Sequence, residues 1–285
     1  MTRPQDFIEQ ATELESKGDM DGAVRVYEQA IREFPNDAAL YFNLALIHKS
    51  KRNWQKCYDL NQKAAEFDPD DQPTWWNLAT AATVLGDWRT AKKGWRFFGV
   101  NLPDNDDPIE LNLGITPIRL STNREVVWSQ RIDPARACIV NIPLPQSQRR
   151  YGDLILNDGA PNGERVLEGR RYFVFDELQL LEKSAFKTYS FQTDEDEKWK
   201  MDVLESLCET HGCQTEDWRN SYRTLCKKCS EGVVHSDAEH DEDLQSVRDF
   251  RVALAAPDLK TAERVLRDWA KDASARFSDL KLELE

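Results

Sequence analysis

The sequence predicts an α + β protein in three parts: an all-α solenoid of three repeats over residues 1–105, a small antiparallel β barrel or sandwich over 106–186, and an α+β region over 187–285. Three observations carry that division. Small and aromatic residues return at a fixed step of 34 through the first hundred positions. Short β-branched and aromatic runs broken by turn dipeptides follow. Past residue 187 the order becomes strand, helix, then strand, helix, strand.

Residues 4–37, 38–71 and 72–105 align without gaps. Phe7, Tyr41 and Trp75 share one column, and Ala11, Ala45 and Ala79 the next. Ala23, Cys57 and Ala91 form a third, Ala30, Ala64 and Phe98 a fourth, and Pro35, Pro69 and Pro103 a fifth. The small residues let two antiparallel helices approach closely, while Tyr27 and Trp95 fill the space between neighbouring pairs. Gly18-Asp19 and Gly86-Asp87 mark the turn inside repeats one and three, where a left-handed residue ends the first helix. Repeat two has Arg52-Asn53 there, and an asparagine tolerates the left-handed region. Each proline stops the second helix of its pair.

With this period and these columns, residues 4–105 resemble the tetratricopeptide repeat, a helix–turn–helix unit that stacks into a solenoid. The resemblance implies a concave face lined by the first helix of each repeat. Ile8, Phe42 and Trp76 would point into it, with Asn43 and Asn77 beside them and Leu46 and Thr80 one turn further on. An apolar row flanked by amides suits an extended or helical polypeptide, side chains entering the row while the amides bond its backbone. The best-known grooves of such repeats clamp a C-terminal carboxylate with lysine and arginine. Here Ile8, Thr12, Pro73 and Asn77 occupy those positions and only Asn43 is kept, so a clamp for chaperone tails is not expected. Trp76 also reads as a packing residue against the chain's own second half.

A net charge of −13 is unevenly spread: residues 1–105 hold 13 Lys+Arg against 16 Asp+Glu, leaving −10 for the remainder. An acidic second half repels phosphate backbones and anionic headgroups, which argues against nucleic acid and membrane as partners. No apolar run approaches 18 residues, and the N-terminus reads as a polar helix start, so the expected compartment is the cytoplasm with thiols reduced or metal-bound. The turn-rich stretch 104–108 reads as a linker rather than a capping helix, which leaves the C-terminal half as the nearest cover for repeat three.

In the second part, runs at 125–129, 137–142, 153–156 and 171–175 read as strands, with turn signals at Pro134, Pro145, 157–159 and 162–163. In the third, a strand at 187–191, a helix to about 210, a strand near 249–254, a helix over 259–277 and a last strand at 280–284 suggest one sheet face covered by two helices.

Residues 208–240 hold four of the six cysteines and three of the four histidines. Cys208, Cys213, Cys226 and Cys229 form two short-spaced pairs of the kind a structural zinc requires, with His211 or His235 as substitute ligands. Cys208 equally continues an apolar stripe through Met201, Leu204 and Leu207 and so reads as core. No phosphate loop, dinucleotide glycine motif or nucleophile elbow occurs, and acid pairs such as Asp176-Glu177 are weak signals in a chain with 51 acids. The sequence reading is therefore an interaction adaptor rather than an enzyme. Its alternative is an enzyme or toxin-neutralising protein acting through 106–285, the repeats serving recruitment or dimerisation.

Overall fold

The computed structural model describes residues 3–167, 169–218 and 251–285, which form two compact units, 1–110 and 111–285. The first is three antiparallel helix pairs: α1 (Pro4–Ser16) with α2 (Met20–Glu33), α3 (Ala38–Ser50) with α4 (Trp54–Phe67), and α5 (Gln72–Leu85) with α6 (Trp88–Phe97). Five of these helices start on an Asp or Asn whose side chain accepts a backbone N–H three residues on: Asp19 from Gly22, Asp37 from Leu40, Asn53 from Lys56, Asp71 from Thr74 and Asp87 from Thr90. Each cap satisfies one of the N–H groups a helix start leaves without a partner.

The residue just before the second-helix cap is left-handed in all three repeats, Gly18 at φ +80°, Arg52 at +56° and Gly86 at +73°. The expectation that asparagine takes this role in repeat two is corrected: Arg52 is left-handed and Asn53 caps α4 at φ −86°. Asparagine is worth more as a cap than as a hinge, since its carbonyl oxygen reaches the Lys56 N–H. The small-residue columns behave as expected, with Ala11, Ala23, Ala45, Cys57, Ala79 and Ala91 fully buried. Helices α5 and α6 approach closely at Gly94, where an added Cβ would stand 2.6 Å from that of Ala79.

The linker expected at 104–108 is a strap instead. Arg89 holds Asp106 through two hydrogen bonds of 2.9 and 3.0 Å, Arg96 holds the Leu102 carbonyl at 3.1 Å, and Lys92 holds the Asn105 carbonyl at 3.1 Å. Arg89, Lys92 and Arg96 lie on one side of α6, so helical spacing lines up three cations for an acidic segment.

The second unit contains a closed barrel of β1 (Ile115–Arg119), β2 (Val126–Arg131), β3 (Arg136–Ile139), β4 (Leu154–Leu167) and β5 (Arg170–Glu182). Successive strands pair antiparallel, and the odd number forces a parallel seam, Ile118 with Phe175 and Arg119 with Asp176. Ile118, Leu120, Val127, Ala137, Ile139 and Ile155 fill its interior. The turn signals at 157–159 and 162–163 do not end β4: register shifts between Leu156 and Glu164 absorb them as bulges. The opposing run of β5 is uninterrupted, so the hairpin continues past them.

Strands β6 (Lys187–Gln192), β7 (Gln214–Asp217), β8 (Arg251–Ala256) and β9 (Ser278–Leu284) make an antiparallel sheet in the order β7-β8-β6-β9. Helices α7 (Lys198–Thr210) and α8 (Leu259–Asp272) cover one face, burying Leu204, Val265, Leu266 and Trp269 on Phe191, Val252 and Leu254. The other face presents Ala253 and Ala255 to Ile142 and Trp218, with Leu144, Tyr151 and Phe186 packed alongside. Trp218 donates its indole N–H to the Ile142 carbonyl at 3.0 Å, and Glu216 accepts the Ile142 N–H at 2.6 Å. The boundary expected at 186/187 therefore separates two sheets of one compact unit, because the small alanines let the chain after β3 lie flat on the sheet.

Arg52→Gly removes the Cβ penalty of a left-handed residue, which outweighs the freedom gained by the unfolded chain. Urea unfolding should show the variant more stable by up to about 1 kcal/mol; a lower midpoint would refute the hinge role.

Candidate functional site

The first helices α1, α3 and α5 carry every residue the sequence places in a groove. On α3 the spacing of Phe42, Leu46 and Lys49 is one helical face. Phe42 is half-buried, Leu46 is 37% exposed, and Asn43 donates to the Ala39 carbonyl of its own helix at 2.8 Å. Ile8 on α1 is half-buried against the cluster of Phe7 and Tyr27. Ile8 and Phe42 are thus partly exposed and Leu46 exposed.

Repeat three differs. Trp76 meets Trp95 edge to face at 4.9 Å and Phe98 at 5.0 Å, so its ring is packed between α5 and the end of α6. Its indole N–H is buried and meets no hydrogen-bond acceptor among the described residues. Asn77 and Thr80 are buried, Thr80 donating to the Trp76 carbonyl at 2.9 Å. The Asn77 carbonyl oxygen accepts from Lys49 Nζ at 3.1 Å, which ties α3 to α5. Lys49 is the residue sequence reasoning missed. Column matching with resembling grooves looks for cations at 8, 12, 73 and 77, whereas the helical period from Phe42 and Leu46 leads directly to 49.

A hollow of about 370 Å³ opens between α2 and α4 over the other side of α3. Ile31, Leu44 and Leu60 give it apolar walls, and Glu28, Arg32, Lys56 and Asp59 a charged rim. His48 lines it while only 6% exposed, and its Nδ1 has no hydrogen-bond partner among the described residues. Burial, then the Lys56 and Lys51 charges, hold its pKa below the ordinary value of 6.5, with Glu28 opposing them.

The proposed metal ligands divide. Cys208 is fully buried and Cys213 nearly so, in the core beneath α7 and α8. Burial pushes the Cys213 thiol up to about 11 and Cys208 higher still, with Cys213 adding to the rise at Cys208. His211 lies 3.5 Å from Asp268 of α8. Cys226, Cys229 and His235 lie outside the described residues. Among the described residues, no group of three or more His, Cys, Asp or Glu side chains is arranged to hold a metal. No described helix is long and apolar enough to cross a membrane.

Residues 14–82 match the tetratricopeptide repeat family. Similar solved structures include the second such domain of Spaghetti (RPAP3) bound to the HSP90 peptide SRMEEVD, at 18% identity over 34% of this chain and 89% of that one, with a TM-score of 0.32. The TPR2B-domain:pHsp70-complex of yeast Sti1 matches at 23% identity, covering 33% of this chain and 75% of that one, TM-score 0.31. The TPR2AB-domain:pHSP90-complex of yeast Sti1 has the same identity and TM-score, over 33% and 36%.

His48 binds a proton less readily folded than unfolded, so its contribution favours the native state above about pH 6.5 and is lost as pH falls through the depressed folded value. Urea midpoints should fall between about pH 7 and 5 in the wild type and fall less in His48→Gln. Parallel curves would disprove the linkage.

Proposed function

With residues 14–82 being tetratricopeptide repeats, we propose that this protein is an interaction adaptor whose repeat unit holds a segment of another polypeptide along α1 and α3. One observation carries the reading: Phe42 and Leu46 present a partly exposed apolar row on the face of α3 that also bears Lys49. Apolar partner side chains would enter the row, and the Asn43 and Lys49 heads would meet backbone carbonyls or a side-chain carboxylate. Trp76 supports that floor from beneath rather than touching the ligand, since Trp95 and Phe98 already occupy two sides of its ring.

The segment proposed is internal to its parent chain. The peptides named in the yeast Sti1 and Spaghetti structures are ligands of those proteins, and positions 8, 12, 73 and 77 here offer no lysine or arginine to grip a terminal carboxylate. Co-purification with mass spectrometry would identify the partner, and fluorescence anisotropy with the mapped segment would then measure affinity. Phe42→Ala with Leu46→Ala should weaken it by about tenfold or more without altering the helical circular dichroism. Capping the segment's C-terminus as an amide should change nothing. Undiminished binding by the double variant would move the working surface to 106–285, the enzyme or toxin-neutralising alternative.

A structural zinc held by Cys208, Cys213, Cys226 and Cys229 is part of the same proposal. What supports it is chemical: two neighbouring thiols in an apolar core, each raised by burial, become stable thiolates only beside a cation. Elemental analysis of untagged protein, purified without chelator, should find about one zinc per chain. A metal-free protein that keeps its fold would remove zinc from the account and leave Cys208 as a core residue.

A further inference from the structure

One column of the repeats changes character at His48. The same position holds Leu14 in repeat one, packed on the Phe7 and Tyr27 cluster, and Ala82 in repeat three, fully buried. His48 is 6% exposed, yet its Nδ1 reaches no hydrogen-bond partner among the described residues. An imidazole buried without a partner forfeits the hydration it had in the unfolded chain, a cost that leucine or alanine in the same place would not carry. What sets its surroundings apart is the hollow of about 370 Å³ that it lines.

That hollow is built in layers. Leu44 and His48 are buried and form its floor, while Ile31, Tyr41 and Leu60 are partly buried and form its walls. Glu28, Arg32, Lys56 and Asp59 stand exposed around the rim. The Tyr41 hydroxyl already donates to the Pro35 carbonyl at 2.9 Å and its ring meets Phe67 at 5.6 Å, so it brings ring surface rather than a free donor. Two cations and two anions balance at the rim, so the mouth selects neither an anion nor a cation. A volume of this size falls in the range of small-ligand sites. A lone water would find the imidazole but no other free side-chain partner on the floor or walls, where a buried water ordinarily makes about three hydrogen bonds.

We propose that the hollow between α2 and α4 binds a small, neutral aromatic alcohol, its hydroxyl on the His48 imidazole and its ring against Leu44, Leu60 and Tyr41. A neutral imidazole has one donor and one acceptor nitrogen. A hydroxyl both donates and accepts, so it serves whichever nitrogen faces the hollow in either tautomer. Burial first, then the Lys56 and Lys51 charges, favour that neutral form against the opposing charge of Glu28. A phenol stays uncharged near neutral pH, whereas a carboxylate would lose its hydration at an apolar floor. A flat ring also suits a slot between two helices and meets the Tyr41 ring edge-on or offset. Phe42 and Leu46 do not line this hollow, so the site and the adaptor reading stand or fall separately.

The test uses the full chain and 2-naphthol, followed by the line widths of the ligand's NMR signals. Saturable binding is expected, with intermolecular NOEs from the naphthol ring protons to the methyl groups of Leu44 and Leu60. Two probes serve as controls: 2-methylnaphthalene, of the same shape but without a polar group, and the charged 2-naphthoate. Each should bind more weakly than 2-naphthol by about threefold or more, although 2-methylnaphthalene is the more apolar ligand. In His48→Leu the order of 2-naphthol and 2-methylnaphthalene should invert, since the hydroxyl then enters without a partner. Circular dichroism checks the fold of that variant; should it not fold, the wild-type NOEs and probe order decide alone. Four outcomes overturn the proposal: no saturable binding up to about 1 mM 2-naphthol, a control probe bound as tightly, NOEs to methyl groups outside the hollow instead, or an unchanged order in folded His48→Leu. Displacement of 2-naphthol by a tyrosine-bearing octapeptide at lower concentration than by N-acetyltyrosinamide would assign the hollow to a polypeptide side chain and overturn it likewise.

Discussion

The repeat unit depends on a small set of local bonds that recur at the 34-residue step. In each repeat a left-handed residue ends the first helix at 18, 52 or 86, and the next residue caps the second with its own side chain. The N–H of that capping residue also closes back on the first helix, Asp19 on Leu14, Asn53 on His48 and Asp87 on Ala82, at 2.9, 2.9 and 3.0 Å. Between repeats, Tyr41 Oη donates to the Pro35 carbonyl at 2.9 Å and Trp75 Nε1 to the Pro69 carbonyl at 2.7 Å. The aromatic and proline columns are therefore one device. Proline ends a helix by lacking a donor, and its carbonyl becomes the acceptor that seats the next repeat's aromatic ring.

From that geometry the character of the exposed faces follows. Helices α1 and α3 keep apolar side chains on a reachable surface, while α5 is buried from Thr74 through Thr83 apart from a partly exposed Trp76. The third repeat is therefore built like an interior element, with Gly94 against Ala79 and Trp76 edge-on to Trp95. Along α6 an acidic strap takes the place that a polar capping helix holds in other solenoids. The exposed pair Arg89–Asp106 adds little stability by itself, but Lys92, 2% exposed, would be costly to bury without the Asn105 oxygens.

The barrel rests on a different principle, polar groups buried in satisfied sets. Glu177 accepts from Arg149 Nε at 2.6 Å and from both the N–H and the hydroxyl of Ser121, at 2.8 and 2.9 Å. Asp133 accepts from the backbone of Ala135 and Arg136 and from the Arg136 side chain. Such sets fix loops against strands at one register, because removing one partner strands a buried charge. Burial raises the Asp153 carboxyl even though the Ser184 and Arg150 amides donate to it. None of this was legible beforehand: in a chain with 51 acids, nothing local distinguishes Glu177 from an acid in water.

What the sequence determined by itself was everything governed by short range and strict period. Helix pairs, their small-residue contacts, the proline stops and most strands follow from side-chain size and backbone preference within a few residues of each site. Tertiary structure decided what depends on the far side of a contact. It made bulges of the turn signals at 157–163, set Arg52 rather than Asn53 left-handed, and turned 102–106 into a strap. It also set the Trp76 ring edge to face with Trp95 and Phe98, leaving it partly exposed like Phe42, the same column one repeat earlier. The reason is physical: a residue's own pattern states which face of an element it occupies, but only the neighbour that arrives there, here Trp95 and Phe98, determines whether that face becomes core or surface.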